Sequence, residues 1–147
     1  MIILPAIEQD FEWIKAIQSE AGLPLWKPNS SSWVLEQSAF AIWQVAGDEC
    51  ELLSIAVNAA ERGKGYAKAL VEHSHRELSK QGFKKFFLEV RENNTAAISL
   101  YKKLGYEKIA ERKKYYADGE CAVVMTTSLF PSITLPHSIT VSPLPSK

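Results

Sequence analysis

At 147 residues, 46% of them apolar, the chain suits one domain with a single core. Seventeen basic residues balance seventeen acidic ones, so no global field draws it toward nucleic acid or an anionic membrane, and neither is expected as a direct partner. No apolar run reaches the roughly 18 to 20 residues of a bilayer span, the N-terminus lacks a signal-peptide pattern, and Cys50 and Cys121 lack the paired spacing of a metal or redox site, so a cytoplasmic protein without metal is expected.

Met1 to Leu4 reads as a short strand. Phe11, Ile14, Ile17 and Ala21 then recur at helical spacing, and Gly22 follows as the stop. Residues 23–32, rich in proline and serine, form a loop carrying Trp26. Strands are predicted over Trp33–Glu36, Phe40–Val45 and Glu51–Val57, the last two joined by a turn at Gly47-Asp48, as an antiparallel meander. After a glycine-bearing segment, Ala67, Leu70, Val71, Ser74 and Leu78 share one helical face, with His73 and His75 expected at the surface or edge, and Gly82 ends the helix. Lys85–Val90 is a strand whose apolar run suggests burial on both faces, as in parallel pairing. Asn93 or Asn94 caps a helix that buries Ala97, Leu100, Tyr101 and Leu104 and stops at Gly105. Strands near Glu107–Glu111 and Cys121–Ser128 flank a hairpin signal at Asp118-Gly119. The order β-α-βββ-α-β-α-ββ implies an α+β domain over 1–130, followed by a Pro/Ser-rich tail or strap over 131–147.

Chemistry concentrates in Arg62-Gly63-Lys64-Gly65-Tyr66-Ala67-Lys68. Two glycines, basic side chains and a helix start can converge several backbone amides on one anion, such as a pyrophosphate. The glycines alone fit equally well a strand-to-helix turn with no ligand. The spacing required for a nucleotide P-loop or a dinucleotide fingerprint is absent.

Arg62-x-x-Gly65-x-Ala67 matches the acetyl-CoA pyrophosphate motif of the GNAT superfamily. The strand Leu52–Val57 before it and the block from Leu88 to Tyr106 after it resemble the family's bacterial ribosomal-protein alanine N-acetyltransferases, over about Ala39 to Met125. The resemblance implies a GNAT fold: one mixed, mostly antiparallel sheet flanked by helices, with a splayed strand pair holding acetyl-CoA. It implies donor contacts from Ile55, Ala56 and Val57 through their backbone, from Arg62 to Lys68, and from Asn94. Glu89 matches the family's general base and Tyr101 the tyrosine that protonates the departing thiolate. Without the resemblance, Glu89 reads as an exposed strand carboxylate or a partner for Arg91 or a lysine, and Tyr101 as a core tyrosine.

On the acceptor side, Arg112-Lys-Lys-Tyr115-Tyr116 resembles the family's Arg-x-Tyr-Tyr run, implying that Tyr115 and Tyr116 pin a peptide N-terminus; the basic residues alone read equally as a solvated face. Trp26 either lines the acceptor mouth or anchors its loop by packing. The stretch between Trp26 and Ser38 is shorter than in the enzymes it resembles, with the second helix lost or reduced. The implied reaction is acetyl transfer to a primary amine, foremost the N-terminal alanine of a small-subunit ribosomal protein. A lysine, polyamine or small-molecule amine acceptor, or a coenzyme A-binding module without turnover, are the alternatives.

Overall fold

The computed structural model describes residues 1–128, so the expected tail at 131–147 lies outside the described residues. Among the described residues, seven strands and three α-helices fall into two compact units, one spanning Met1–Lys84 and one starting at Lys85.

In the first unit, β1 (Ile3–Pro5), β2 (Ser32–Leu35), β3 (Ala39–Ala46) and β4 (Glu49–Val57) form the expected antiparallel meander. Gly47 closes the β3–β4 hairpin at φ 62°, at the first central position, where a II′ turn needs positive φ. Helix α1 (Phe11–Glu20) lies on one face of this sheet, its Ile14 packed with Val34, Phe40 and Ile42. Helix α2 (Tyr66–Lys80) lies on the other, where His73 and His75 meet Trp33 and Trp43 edge-on or tilted. A β-bulge shifts the register between Ile42 and Trp43: Ile42 pairs with Ser54 and Trp43 with Leu52, leaving Leu53 as the extra residue of β4.

The second unit pairs β5 (Lys85–Arg91), β7 (Ala122–Ser128) and β6 (Glu107–Arg112) in that order, both ladders antiparallel, and adds α3 (Thr95–Lys103). β5 buries Phe86, Phe87 and Leu88 in succession, so both its faces are covered, as its composition suggests, while its partner within this unit runs antiparallel. Asn94 accepts from the Ala97 amide at 3.1 Å and is the N-cap, which decides between the two candidate asparagines. All three helices end in the same double closure: for α1, Gly22 N–H bonds Ser19 O and Leu23 N–H bonds Gln18 O, and the equivalent pairs close α2 at Gly82 and α3 at Gly105.

The structure corrects three expectations. Asp118-Gly119 does not make a tight hairpin: residues 113–121 form a nine-residue connection, and these two sit in a turn within it, closed by Gly119 N–H to Tyr116 O at 2.9 Å. Ala21 is exposed, and the second fully buried position of α1 belongs to Gln18. His75 is buried rather than at the surface, because the helical face that covers the sheet is wide enough to include it.

Gln18 is tolerated in the core because its amide is occupied on both sides. It donates to Trp26 O at 3.1 Å and Ser54 Oγ at 3.2 Å and accepts from Trp26 N–H at 3.2 Å. One side chain thus ties α1, the 23–31 loop and β4 together. Replacing it with the similarly sized Met leaves the Trp26 backbone groups unpaired, and urea unfolding should show a loss of about 2 kcal/mol. The His75 imidazole has its pKa pushed down to about 4 by burial, so it stays neutral in the fold while the unfolded chain takes up a proton below about pH 6.5. Stability should therefore fall as pH drops from 6.5 to 5, by roughly 2 kcal/mol from this group, and His75→Gln should flatten that slope in denaturation curves recorded across the range.

Candidate active site

The donor-side residues leave the end of β4 in sequence. Asn58 N–H bonds Ser38 O, in the turn just before β3, at 2.7 Å, so by strand alternation the amide and carbonyl of Val57 point to the other side of β4. Arg62 is drawn to that side, its Nε donating to Val57 O at 3.4 Å. The Asn58 side chain accepts from Ala60 N–H and starts a short 3₁₀ turn over Ala59–Glu61. Lys64 pairs with Glu61 at 2.5 Å, which raises its pKa through the hydrogen bond and the carboxylate's charge, so its ammonium is engaged rather than free for a ligand.

Gly63 and Gly65 both take left-handed conformations, φ 84° and 79°, which an L side chain would hold at a cost of roughly 1–2 kcal/mol each. Nothing lies within 4 Å of where a Cβ would stand at either, so the backbone is open on that side. Gly65 is the residue before α2, and the first intrahelical bond of that turn runs from Ala69 N–H to Gly65 O. The amides of Tyr66, Ala67 and Lys68 precede that bond, and the first turn carries no acidic side chain. Unpaired amides and the positive helix end at this turn could serve an anion such as a pyrophosphate.

In the second unit, Glu89 points from β5 into a nearly closed environment: its side chain is 1% exposed, and neither carboxylate oxygen has a hydrogen-bond partner among the described residues. The cation beside it is Arg112, with Nη2 3.8 Å from Glu89 Oε1. Arg91, expected as a partner for Glu89, instead pairs with Asp118 at 2.8 Å. Tyr115 and Tyr116 meet as a T-shaped pair, centroids 5.1 Å apart, with the Arg112 guanidinium 5.2 Å over the first ring and that of Arg91 4.1 Å over the second. Burial, and after it the charge of Glu89, raises the pKa of Tyr116. The structure thus brings together Glu89, Tyr115 and Tyr116, and adds Arg112, which reads in the sequence only as part of a basic run.

Tyr101 on α3 is 6% exposed and packs edge-on against Tyr106 at 5.7 Å; burial pushes its pKa up to about 12. Asn94 is occupied as the cap of the same helix. Trp26 packs against the core cluster beside Ile14 and Phe40, the anchoring alternative, and no helix intervenes between α1 and β2. Among the described residues no three His, Cys, Asp or Glu side chains converge as a metal site, and no helix is long and apolar enough to cross a membrane.

Residues 8–106 match the acetyltransferase (GNAT) family. The chain is 44% identical over 93 residues to the [ribosomal protein bS18]-alanine N-acetyltransferase of Escherichia coli K12, a match covering 61% of this chain and 63% of that protein. To the enzyme of the same name from Haemophilus ducreyi it is 37% identical over 140 residues, 84% of this chain and 97% of that one. The crystal structure of the Escherichia coli ribosomal-protein-S18-alanine N-acetyltransferase superposes with a TM-score of 0.77 at 30% identity, over 91% of this chain and 99% of that chain. A strand, a glycine-bearing loop and a helix in the first unit, matched along this length, place the chain in the acetyltransferase (GNAT) family, whose α+β fold it shares.

Proposed function

We propose that the protein, through a domain over residues 1–130, transfers the acetyl group of acetyl-CoA to the α-amine of a protein N-terminus in the cytoplasm, and that the acceptor is the N-terminal alanine of ribosomal protein bS18. The acceptor rests on the names of the relatives, above all the one matched along nearly its whole length. The chemistry rests on Glu89, a carboxylate shielded from water whose oxygens are not spent on hydrogen bonds.

Acetyl-CoA supplies an activated thioester and a thiolate leaving group. The residues present suit its pyrophosphate: the amides of Tyr66, Ala67 and Lys68, the open backbone at Gly63 and Gly65, and the side chain of Arg62. Lys64, held by Glu61, contributes as the wall of the loop. Along β4, Ile55, Ala56 and Val57 offer backbone groups, and the Val57 amide points away from β3 as a donor for a developing oxyanion. Asn94 caps α3 and orients the helix that carries Tyr101.

An α-amine titrates near pH 7.7 to 8.0, so at neutral pH a base must take its proton before it can attack. Glu89 is that base. Tyr101 holds its phenolic proton throughout the working range and hydrogen-bonds the sulfur as negative charge collects there. Tyr115 and Tyr116 present hydroxyl-bearing rings, each fixed by an arginine, to the peptide end. Trp26 supports the acceptor side only through its loop, since its ring is committed to packing.

Thiol release from acetyl-CoA should occur with a short peptide beginning in a free alanine and be absent when that α-amine is blocked. Binding of acetyl-CoA without release would leave a coenzyme A-binding module, and release with lysine or a polyamine but not the peptide would move the acceptor to another amine. Tyr101→Phe should lower kcat about a hundredfold while leaving the acetyl-CoA KM within a few-fold, read from initial rates at varied donor. Because the Tyr101 pKa lies near 12, the native enzyme should show no loss of rate from its ionisation up to pH 10.

A further inference from the structure

Arg112 stands two strands away from Glu89, and its arrival there depends on one irregularity. Across the ladders of the second unit Glu89 pairs with Val124 and Val124 with Ala110, while Arg91 pairs with Ala122 and Ala122 with Arg112. Directly opposed residues share a face, so Glu89, Arg91 and Arg112 all project to one side. They do so only because the ladder shifts between Lys108 and Ala110, leaving Ile109 as an extra residue in β6. In an unbroken register Glu111 would face Ala122, and Arg112 would project to the opposite side. The strand between the two charges presents Ala122 and Val124 on this face, small enough for an arginine stem to cross two interstrand steps of about 4.8 Å.

The contact has a particular character. At 3.8 Å the guanidinium offsets the charge of a carboxylate that is 1% exposed, yet the distance is too long for a hydrogen bond, so the carboxylate lone pairs are not consumed. The same guanidinium lies over the Tyr115 ring. We propose that Arg112 is a positioning residue of the reaction: it supplies the counter-charge that keeps buried Glu89 an anion with its lone pairs available, and it locks Tyr115 over the acceptor end through the same group. This rests on the reading of Glu89 as the base.

The charged and titratable groups that face Glu89 within this unit are Arg112 from β6, Tyr116 from the 113–121 connection, and Arg91 on its own strand, which Asp118 already neutralises. Removing Arg112 therefore withdraws the guanidinium that stands 3.8 Å from the Glu89 carboxylate on this face. A buried carboxylate without it takes up a proton at higher pH.

The test is the pH profile of kcat/KM with the alanine-initiated peptide for Arg112→Met, Arg112→Gln and Arg112→Lys, with thermal denaturation and acetyl-CoA binding measured on each. In the Met and Gln variants the acidic limb should move up by about one pH unit, so that the rate is lost on the acidic side of the profile and recovers to within a few-fold near pH 9. Arg112→Lys keeps the charge and should leave the limb near its native position while raising the peptide KM, because the ring contact is lost. A uniform loss at every pH, an unmoved limb in the uncharged variants, or a limb displaced as far by Lys as by Met would each overturn the proposal. If the uncharged variants do not fold, the position of the Lys limb alone decides it. Glu89→Gln separates the two levels: a native limb in that variant removes Glu89 as base and this role with it, whereas a lost limb there beside an unmoved limb in Arg112→Met overturns the role of Arg112 alone.

Discussion

A carboxylate taken out of water is costly, and the described part of the second unit accommodates one at Glu89. Glu89 sits on a strand whose neighbours Phe86, Phe87, Leu88 and Val90 are all buried, so a charge there is stable only with a counter-charge nearby. The flanking strand cannot deliver one by simple alternation, and the bulge at Ile109 turns Arg112 onto the right face. The two tyrosines after it then pack against the two arginines on that face, and the pairing of Arg91 with Asp118 anchors the far end of the connection. Charge, register and loop conformation form one arrangement there.

On the proposed reading, the first unit would meet its charged ligand by the opposite strategy. The loop from Arg62 to Lys68 relies on backbone amides at the start of α2 and on two left-handed glycines, and its lysine is already paired. Neutral donors with a helix dipole behind them bind an anion without accumulating positive charge, which suits a chain whose formal net charge is zero. The small residues at 63 and 65 keep space open next to those amides, where any side chain would add both bulk and backbone strain. Arg62, bonded to Val57 O, links this loop back to the strand whose final amide is proposed to meet the oxyanion.

Features set by local chemistry were legible in the sequence. The stops at Gly22, Gly82 and Gly105, the meander through Gly47, the Asn94 cap and the glycine-bearing strand-to-helix loop at 63–65 all depend on a few adjacent residues and on conformations few side chains can adopt. What escaped was set by distant contacts. Gln18 breaks the apolar pattern of α1, and only the Trp26 backbone and Ser54 explain why a buried amide belongs there. His75 lies two positions from His73, yet each reaches a different tryptophan on the sheet, so spacing alone misjudged its burial. Arg112 escaped for a sharper reason: a bulge has no period, and strand alternation carried through Ile109 assigns every later side chain of β6 to the wrong face.

On the proposed roles, the acid and the base are kept apart by different physical means. The hydroxyl of Tyr101 is held protonated by burial alone, with no charge partner required, and its pKa near 12 lies far above the range in which an α-amine titrates. Glu89 is buried too, but it has a specific cation beside it, the Arg112 guanidinium at 3.8 Å. The acid is therefore robust to changes in its surroundings, since almost any apolar packing preserves it. The base is fragile, since it depends on one guanidinium delivered by one bulge. Sensitivity to substitution should follow that asymmetry: near Tyr101 it tracks volume, while around Glu89 it tracks charge and strand register.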